Sequence, residues 1–234
     1  MDEIIKVYNI LYNKYGRQGW WPLTIKNNLS EHHQGPPKNN KHRFEIIIGA
    51  ILTQNTNWKN VEKALHNLSK NNLLDLDKIS KAKKERLGEL IRPAGYYNQK
   101  SERLKIIADY VIKNYKGNLN LFFNKDMIEL RQELLSIKGI GPETADSIIL
   151  YSAEKPIFVI DAYTKRIFGR LGIKKTTYDG WQELFMADLK PNLDTFKEYH
   201  ALIVELAKRH CKTKPICDGC ILSDLCRKIF KPSR

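Results

Sequence analysis

Leu134-Leu135-Ser136-Ile137-Lys138-Gly139-Ile140-Gly141-Pro142-Glu143-Thr144-Ala145-Asp146-Ser147 is the stretch on which the reading of this chain turns. A helical apolar pattern runs from Arg131 to Ile137, breaks at Lys138-Gly139-Ile140-Gly141, and resumes at Pro142. Proline is best tolerated as a first helical residue, where its missing N–H has no partner to lose. The two glycines permit positive φ and let another backbone come close. Unpaired N–H groups at the new helix start form an anion site, so the hairpin can hold a phosphate without side-chain charge. An ordinary corner between two helices would accept Gly-x-Gly as well, so the surroundings have to decide.

Outward from the hairpin the chain reads as helix almost throughout. Leu104, Ile107, Tyr110, Val111 and Tyr115 recur at helical spacing. The segment 44–65 carries a second helix, with Ile46-Ile47-Ile48 and Ala50-Ile51-Leu52 as its deeply buried runs. Ile157-Phe158-Val159-Ile160 is the one β-like run, and four residues make a short strand. Residues 32–43 (HHQGPPKNNKHR) are rich in Pro, Gly, Asn and base. They read as a loop separating a short N-terminal helix over 2–15 from the helical body. The predicted fold class is all-α.

Composition narrows the class of function. A chain of 234 residues with 42% hydrophobic and 28% charged residues can fill a core, which excludes a disordered chain. No stretch approaches ~20 consecutive apolar residues, so no membrane-spanning helix is expected. Met1-Asp2-Glu3-Ile4-Ile5-Lys6 lacks the basic start and apolar run of a secretory signal. The expectation is a soluble, cytoplasmic monomer. Forty basic residues against 26 acidic ones leave a formal charge of +14, which favours a polyanionic partner.

The four cysteines, Cys211, Cys217, Cys220 and Cys226, all lie near the C-terminus in the pattern C-x5-C-x2-C-x5-C. Nothing here indicates an oxidising compartment, so metal binding is read ahead of two disulfides. Zinc ribbons present two separated C-x2-C pairs, whereas one pair flanked by two singletons suits a [4Fe–4S] cube with one thiolate per iron. Iron–sulfur is therefore favoured over zinc. From residue 205 onward eight Lys/Arg face three acids, and Lys212 and Lys214 sit in a loop that two metal ligands would close. That loop would present both lysines rigidly to phosphates.

Three of these features stand in the order found in one known family. Lys138-Gly139-Ile140-Gly141-Pro142-Glu143-Thr144-Ala145 resembles the helix-hairpin-helix of the endonuclease III superfamily of DNA glycosylases. Lys155-Pro156-Ile157-Phe158-Val159-Ile160-Asp161 matches its Gly/Pro-containing loop and essential aspartate, and the cysteine cluster closes the chain as in endonuclease III. The resemblance implies base-excision repair of DNA, with Gly139, Gly141 and Thr144 on the DNA backbone and Asp161 in catalysis. An ionised carboxylate stabilises the oxocarbenium-like sugar that forms as an N-glycosidic bond breaks, and it can orient the attacking water. Asp is also a favoured helix N-cap, and capping would fix where that carboxylate points. Strand-cleaving members carry a lysine two residues after the second glycine. Here that position is Glu143, which cannot form the imine needed for β-elimination. Base release without lyase activity is expected.

The lesion is read from the aromatic residues. Gly19-Trp20-Trp21-Pro22, Phe44-Glu45 and Gly49-Ala50-Ile51-Leu52-Thr53-Gln54-Asn55-Thr56 resemble 3-methyladenine DNA glycosylase III. In that family the Trp-Trp-Pro element and the phenylalanine line the flipped-base pocket, which implies that Trp20, Trp21, Pro22 and Phe44 receive the base. Electron-rich rings stack on a flipped base and attract a cationic alkylated purine further. Gln54 stands where the superfamily places a wedge that fills the gap in the stack. Glycosylases for mismatched, deaminated or oxidised bases, and a non-catalytic DNA-binding homologue, remain as alternatives. The implied architecture is two-lobed, with residues 27–133 as a six-helix barrel-like lobe. Residues 1–26 plus 134–234 form the other, holding the hairpin (134–150), the Asp161 loop and the cluster loop (211–226). The hairpin and Asp161 are expected to face a cleft from one side and Gln54 from the other.

Overall fold

Most helix starts among the described residues are marked by side-chain caps. Asn39, Asn57, Asp75, Asn118, Asp126, Asp161, Thr177 and Asn192 each accept the backbone N–H of the residue three positions on. Each such cap satisfies a donor that the first helical turn leaves unpaired. The computed structural model describes residues 2–26, 29–32 and 35–227. In chain order these are α1 (Asp2–Tyr15), β1 (Leu23–Lys26), β2 (Leu29–Glu31), α2 (Asn40–Leu52), α3 (Trp58–Lys70), α4 (Leu76–Lys81) and α5 (Lys84–Ile91). A 3-10 turn (Arg92–Ala94) leads into α6 (Tyr97–Tyr115), α7 (Leu119–Phe123), α8 (Met127–Ser136) and α9 (Pro142–Ser147). A π-turn (Ile148–Ser152) follows, then α10 (Ala162–Leu171), α11 (Tyr178–Asp188) and α12 (Leu193–Arg209).

The all-α expectation needs one correction. Leu23 pairs with Glu31 and Thr24 with Ser30 in a small antiparallel hairpin, so the described residues are predominantly helical with one two-stranded ribbon. The run Ile157-Phe158-Val159-Ile160, read as β-like, joins no sheet among the described residues. Its side chains are all buried, and side chains rather than a partner strand meet its backbone. Gln182 Nε2 donates to the Phe158 carbonyl at 2.7 Å, and the Ile160 N–H donates to Tyr178 Oη at 3.3 Å. The loop expected over 32–43 ends early, because Asn39 caps α2 from Asn40; His33 and Gln34 lie outside the described residues.

Two compact units emerge, Trp21–Lys155 and the flanking segments Met1–Trp20 with Pro156–Arg234. These boundaries differ from those expected. The hairpin belongs to the middle unit, because α9 packs on α8 and α2, and the π-turn packs on α2. Within that unit α2 is buried continuously from Phe44 to Leu52, with Glu45 the one charged residue in the run. Gly49 makes that possible: a Cβ there would stand 2.9 Å from Trp21 Cζ2. The Trp21 ring meets Trp58 edge-on at 5.3 Å and Tyr151 at 5.2 Å. Arg43 Nη1 donates to the Ser152 carbonyl at 3.0 Å, and Ser152 Oγ donates back to the Arg43 carbonyl at 2.8 Å, which fastens the π-turn to α2.

In the flanking unit α1 packs along α12. Tyr199 Oη donates to the Ile4 carbonyl at 2.7 Å, and the Tyr199 ring meets Tyr8 edge-on. Phe158 stacks on Phe185 at 4.4 Å, and Phe196 and Tyr199 close round it edge-on, giving an aromatic core beneath the segment that leads to Asp161.

Candidate active site and cysteine loop

Asp161 ends the buried extended run and caps α10. Its Oδ1 accepts the Thr164 N–H at 2.7 Å and the Thr164 hydroxyl at 2.8 Å, both within the first turn. His200, on α12, brings Nε2 to 3.6 Å from Oδ2. The two carboxylate oxygens are therefore differentiated, one held by the helix and one beside an imidazole. Burial would raise this carboxyl, but His200 and the Thr164 donors outweigh it and hold the group below the usual aspartate range. The result is a buried carboxylate that stays ionised and fixed in direction.

At the hairpin, Gly139 has φ +93°, and Pro142 opens α9 behind Gly141. The close approach permitted by Gly139 is used by a side chain of the same unit, because a Cβ there would lie 2.5 Å from Arg103 Cγ. Gln54 also reaches this turn. Its Nε2 donates to the Gly139 carbonyl at 3.0 Å and to Thr144 Oγ1 at 2.9 Å, while its Oε1 accepts from Arg103 Nη1. Gln54 therefore lies against the hairpin within one unit, and not across a cleft from it. The Thr144 side chain is buried in that contact. Glu143 is exposed on the first turn of α9. Lys138, the nearby amine, is exposed and pairs with Glu102 at 2.8 Å; it and Lys84 hold that carboxyl down to about 2.

The expected base-pocket residues divide between the units. Trp20 falls with Asp161, half-buried, with the Lys208 ammonium 5.4 Å from its ring centroid. Trp21, Pro22 and Phe44 fall in the other unit and are buried, Trp21 to 5% exposure and Phe44 to 1%. Glu45 beside Phe44 is fully buried; it accepts the Thr24 N–H at 2.7 Å, and burial pushes its carboxyl up.

All four cysteines are free thiols, with Cys217 exposed and the others half-buried. Burial and the neighbouring Cys211, Cys226 and Cys217 sulfurs push the Cys220 thiol up, so the four share one electrostatic neighbourhood. Deprotonating them together needs a compensating cation. Among the described residues no three ligand-type side chains stand close enough to hold a single ion. Sulfurs about 2.3 Å from one zinc would crowd together, whereas a cube of iron and sulfide spaces them further apart. Four thiols would offer one donor to each iron of such a cube. Arg170 spans the loop: Nη1 donates to Cys211 Sγ at 3.1 Å and to the Lys212 carbonyl at 2.8 Å, and Nη2 donates to the Thr213 carbonyl at 3.0 Å. The Cys226 thiol meets the Arg170 carbonyl at 3.6 Å. Arg166 Nε adds a bond to the Cys211 carbonyl at 2.8 Å. Lys212 and Lys214 are exposed on this clamped loop.

Arg103, His200 and Arg170 escaped the sequence reading, because nothing in their local spacing marks them. Lys100 also did: its Nζ is buried and donates to the Leu52 and Ala94 carbonyls, at 2.8 Å each, tying the end of α2 to the 3-10 turn. Just beyond that turn Tyr96 is 64% exposed at φ +47°. The signal available for it was a tyrosine directly after Gly95.

A sequence profile for HhH-GPD superfamily base excision DNA repair proteins matches residues 48–191. A Methanocaldococcus jannaschii protein provisionally named a DNA repair glycosylase is 46% identical over 229 residues, covering 96% of each chain. Endonuclease III of Thermotoga maritima is 32% identical over 193 residues, covering 81% of this chain and 86% of the relative. Among solved structures, H. pylori 3-methyladenine DNA glycosylase (MagIII) bound to 1,N6-ethenoadenine superposes with TM-score 0.70 at 30% identity, covering 88% of this chain and 96% of that one.

Proposed function

The chain belongs to the HhH-GPD superfamily of base excision DNA repair proteins, DNA glycosylases that hydrolyse the bond between base and sugar, and within it we propose a monofunctional enzyme for alkylated purines such as 3-methyladenine. The observation that carries the chemistry is the geometry of Asp161. A carboxylate below its usual pKa, pinned at Oδ1 by Thr164, is a fixed negative charge of the kind that would stabilise an oxocarbenium-like sugar. As the C1′–N bond breaks, its electron pair leaves with the base, and water adds to C1′ and releases its proton to solvent. Asp161 stabilises the sugar cation and orients that water. An adenine alkylated at N3 carries positive charge of its own, so its departure needs little help from a general acid.

Two features support the absence of lyase chemistry. Glu143 occupies the expected nucleophile position, and a carboxylate forms no imine. Lys138 is engaged with Glu102 at the surface. The lesion class rests on Trp20-Trp21-Pro22 with Phe44 and on likeness to the H. pylori enzyme bound to ethenoadenine. Likeness to endonuclease III favours a second reading, oxidised or mismatched bases. Exposed Lys212 and Lys214, with Gly139 and Gly141, would contact DNA phosphates.

Cys211, Cys217, Cys220 and Cys226 would hold a [4Fe–4S] cluster. When bound, that group supplies a rigid cross-link and a local electrostatic charge at the loop. Purified protein is expected to be yellow-brown, absorbing broadly near ~400 nm from thiolate-to-iron charge transfer.

The deciding experiment is single-turnover base release from duplexes carrying 3-methyladenine, 1,N6-ethenoadenine, T opposite G, uracil or 8-oxoguanine. Fastest release of the alkylated purines supports the proposal. A preference for oxidised bases or T opposite G overturns its lesion class.

A further inference from the structure

We infer that Arg170 is a positioning residue for the metal cluster, holding a positive charge on the Cys211 sulfur and thereby setting the cluster's reduction potential and its resistance to oxidation. The inference rests on the [4Fe–4S] reading of the cysteine loop and goes one step beyond it. Arg170 lies near the end of α10 and is only 8% exposed, so its guanidinium has given up most of its water. A desolvated cation must be met by acceptors or by opposite charge. Its Nη1 serves both kinds of partner: one bond at 2.8 Å goes to the neutral Lys212 carbonyl, and one at 3.1 Å goes to Cys211 Sγ. Nη2 takes the Thr213 carbonyl at 3.0 Å, so the fork holds three successive residues of the loop. Such a fork fixes the sulfur in direction as well as supplying charge, which a flexible ammonium does not do.

Cys211 and Cys226, the first and last cysteines, both touch this one residue, the former at the side chain and the latter at the carbonyl. A cube bound by four thiolates is a net anion, and reduction makes it more negative. A buried guanidinium bonded to one ligand sulfur stabilises the reduced, more anionic state over the oxidised one. Removing it lowers the midpoint potential, so the cluster loses electrons and falls apart more readily.

The test compares wild type with Arg170→Gln and Arg170→Lys, each purified anaerobically and assayed for iron and sulfide. Midpoint potentials come from electrochemistry, and stability comes from the rate at which the ~400 nm band bleaches under ferricyanide. Arg170→Gln is expected to shift the potential downward and to bleach several-fold faster. Arg170→Lys, which keeps the charge without the fork, is expected to fall between. Should Arg170→Gln fail to load, the lysine variant alone carries the comparison, and a wild-type potential and bleaching rate there overturn the inference. Equal potentials and rates in fully loaded variants overturn it too, leaving the cluster reading intact. Wild-type protein holding zinc and no iron overturns the cluster reading itself.

Discussion

Arg103 lies across Gly139, its Cγ standing where a methyl group on that residue would have to go. The hairpin glycine is therefore demanded twice over, by φ +93° and by this contact. The two demands are separable. Gly139→Ala is expected to destabilise the fold by about 2 kcal/mol, from left-handed strain plus steric overlap. Combining it with Arg103→Ala should relieve the overlap and leave the strain. Urea unfolding of the four proteins in a double-mutant cycle measures the difference; strictly additive effects would show that the overlap costs nothing.

Asp161→Asn separates catalysis from capping. Asn caps a helix about as well as Asp, so the cap should survive, and any fall in melting temperature reports the lost charge beside His200. Base release in a single turnover should fall by roughly 10²–10³ or more once the negative charge is gone. Binding to lesion DNA should persist, and undiminished turnover would remove Asp161 from the mechanism.

The same residue gives a pH dependence whose sign is fixed. Its carboxyl is lower in the folded protein than in the unfolded chain, so its contribution to stability is present above ~3.9 and is lost as pH falls through the folded value. Thr164→Val removes the hydroxyl donor and leaves the backbone one. The acid limb of the base-release profile should then move toward neutrality, and an unmoved limb would assign the depression to His200.

Borohydride added during turnover reports on any amine nucleophile. With Glu143 at the lyase position, no covalent enzyme–DNA adduct is expected, and alkali or heat should be needed to cleave the strand. An efficient trap that disappears in Lys138→Gln would make Lys138 the nucleophile and end the monofunctional assignment.

Lys100 is a buried amine whose ionisation can be followed through stability. Burial, and then the nearby Arg103 charge, lower it to about 8. Between there and its unfolded value of ~10.4 the folded protein binds fewer protons, so stability from this group rises with pH across that window. Lys100→Met should abolish the rise and cost about 2 kcal/mol at neutral pH, by orphaning the Leu52 and Ala94 carbonyls. A variant as stable as wild type would show that the two carbonyls find other donors.

What could be read from sequence was what is local. Pro142 behind Gly141 announces a helix start, Asp161 before an amphipathic run announces a cap, and residues 2–15 announce α1. The ribbon over β1 and β2 was missed because short strands carry little alternation. Ile157-Phe158-Val159-Ile160 misled because burial on all sides produces the same apolar run as a central strand. Gln54 was legible as a polar residue after α2, but its bonds to Gly139 and Thr144 depend on segments some ninety positions apart. His200 and Arg170 belong to that same class: the partners that give them meaning lie on other elements.

The bonds that aim Asp161 at Oδ1 come from its own first turn, three residues along. Aiming this carboxylate is thus an event of helix initiation, complete as soon as α10 forms and independent of how late the rest of the chain condenses. His200 alone must arrive by long-range packing. A folding intermediate with α10 formed and α12 undocked would already point the acid and lack only the imidazole. The geometry of this carboxylate therefore has low contact order, while its ionisation is finished by tertiary structure.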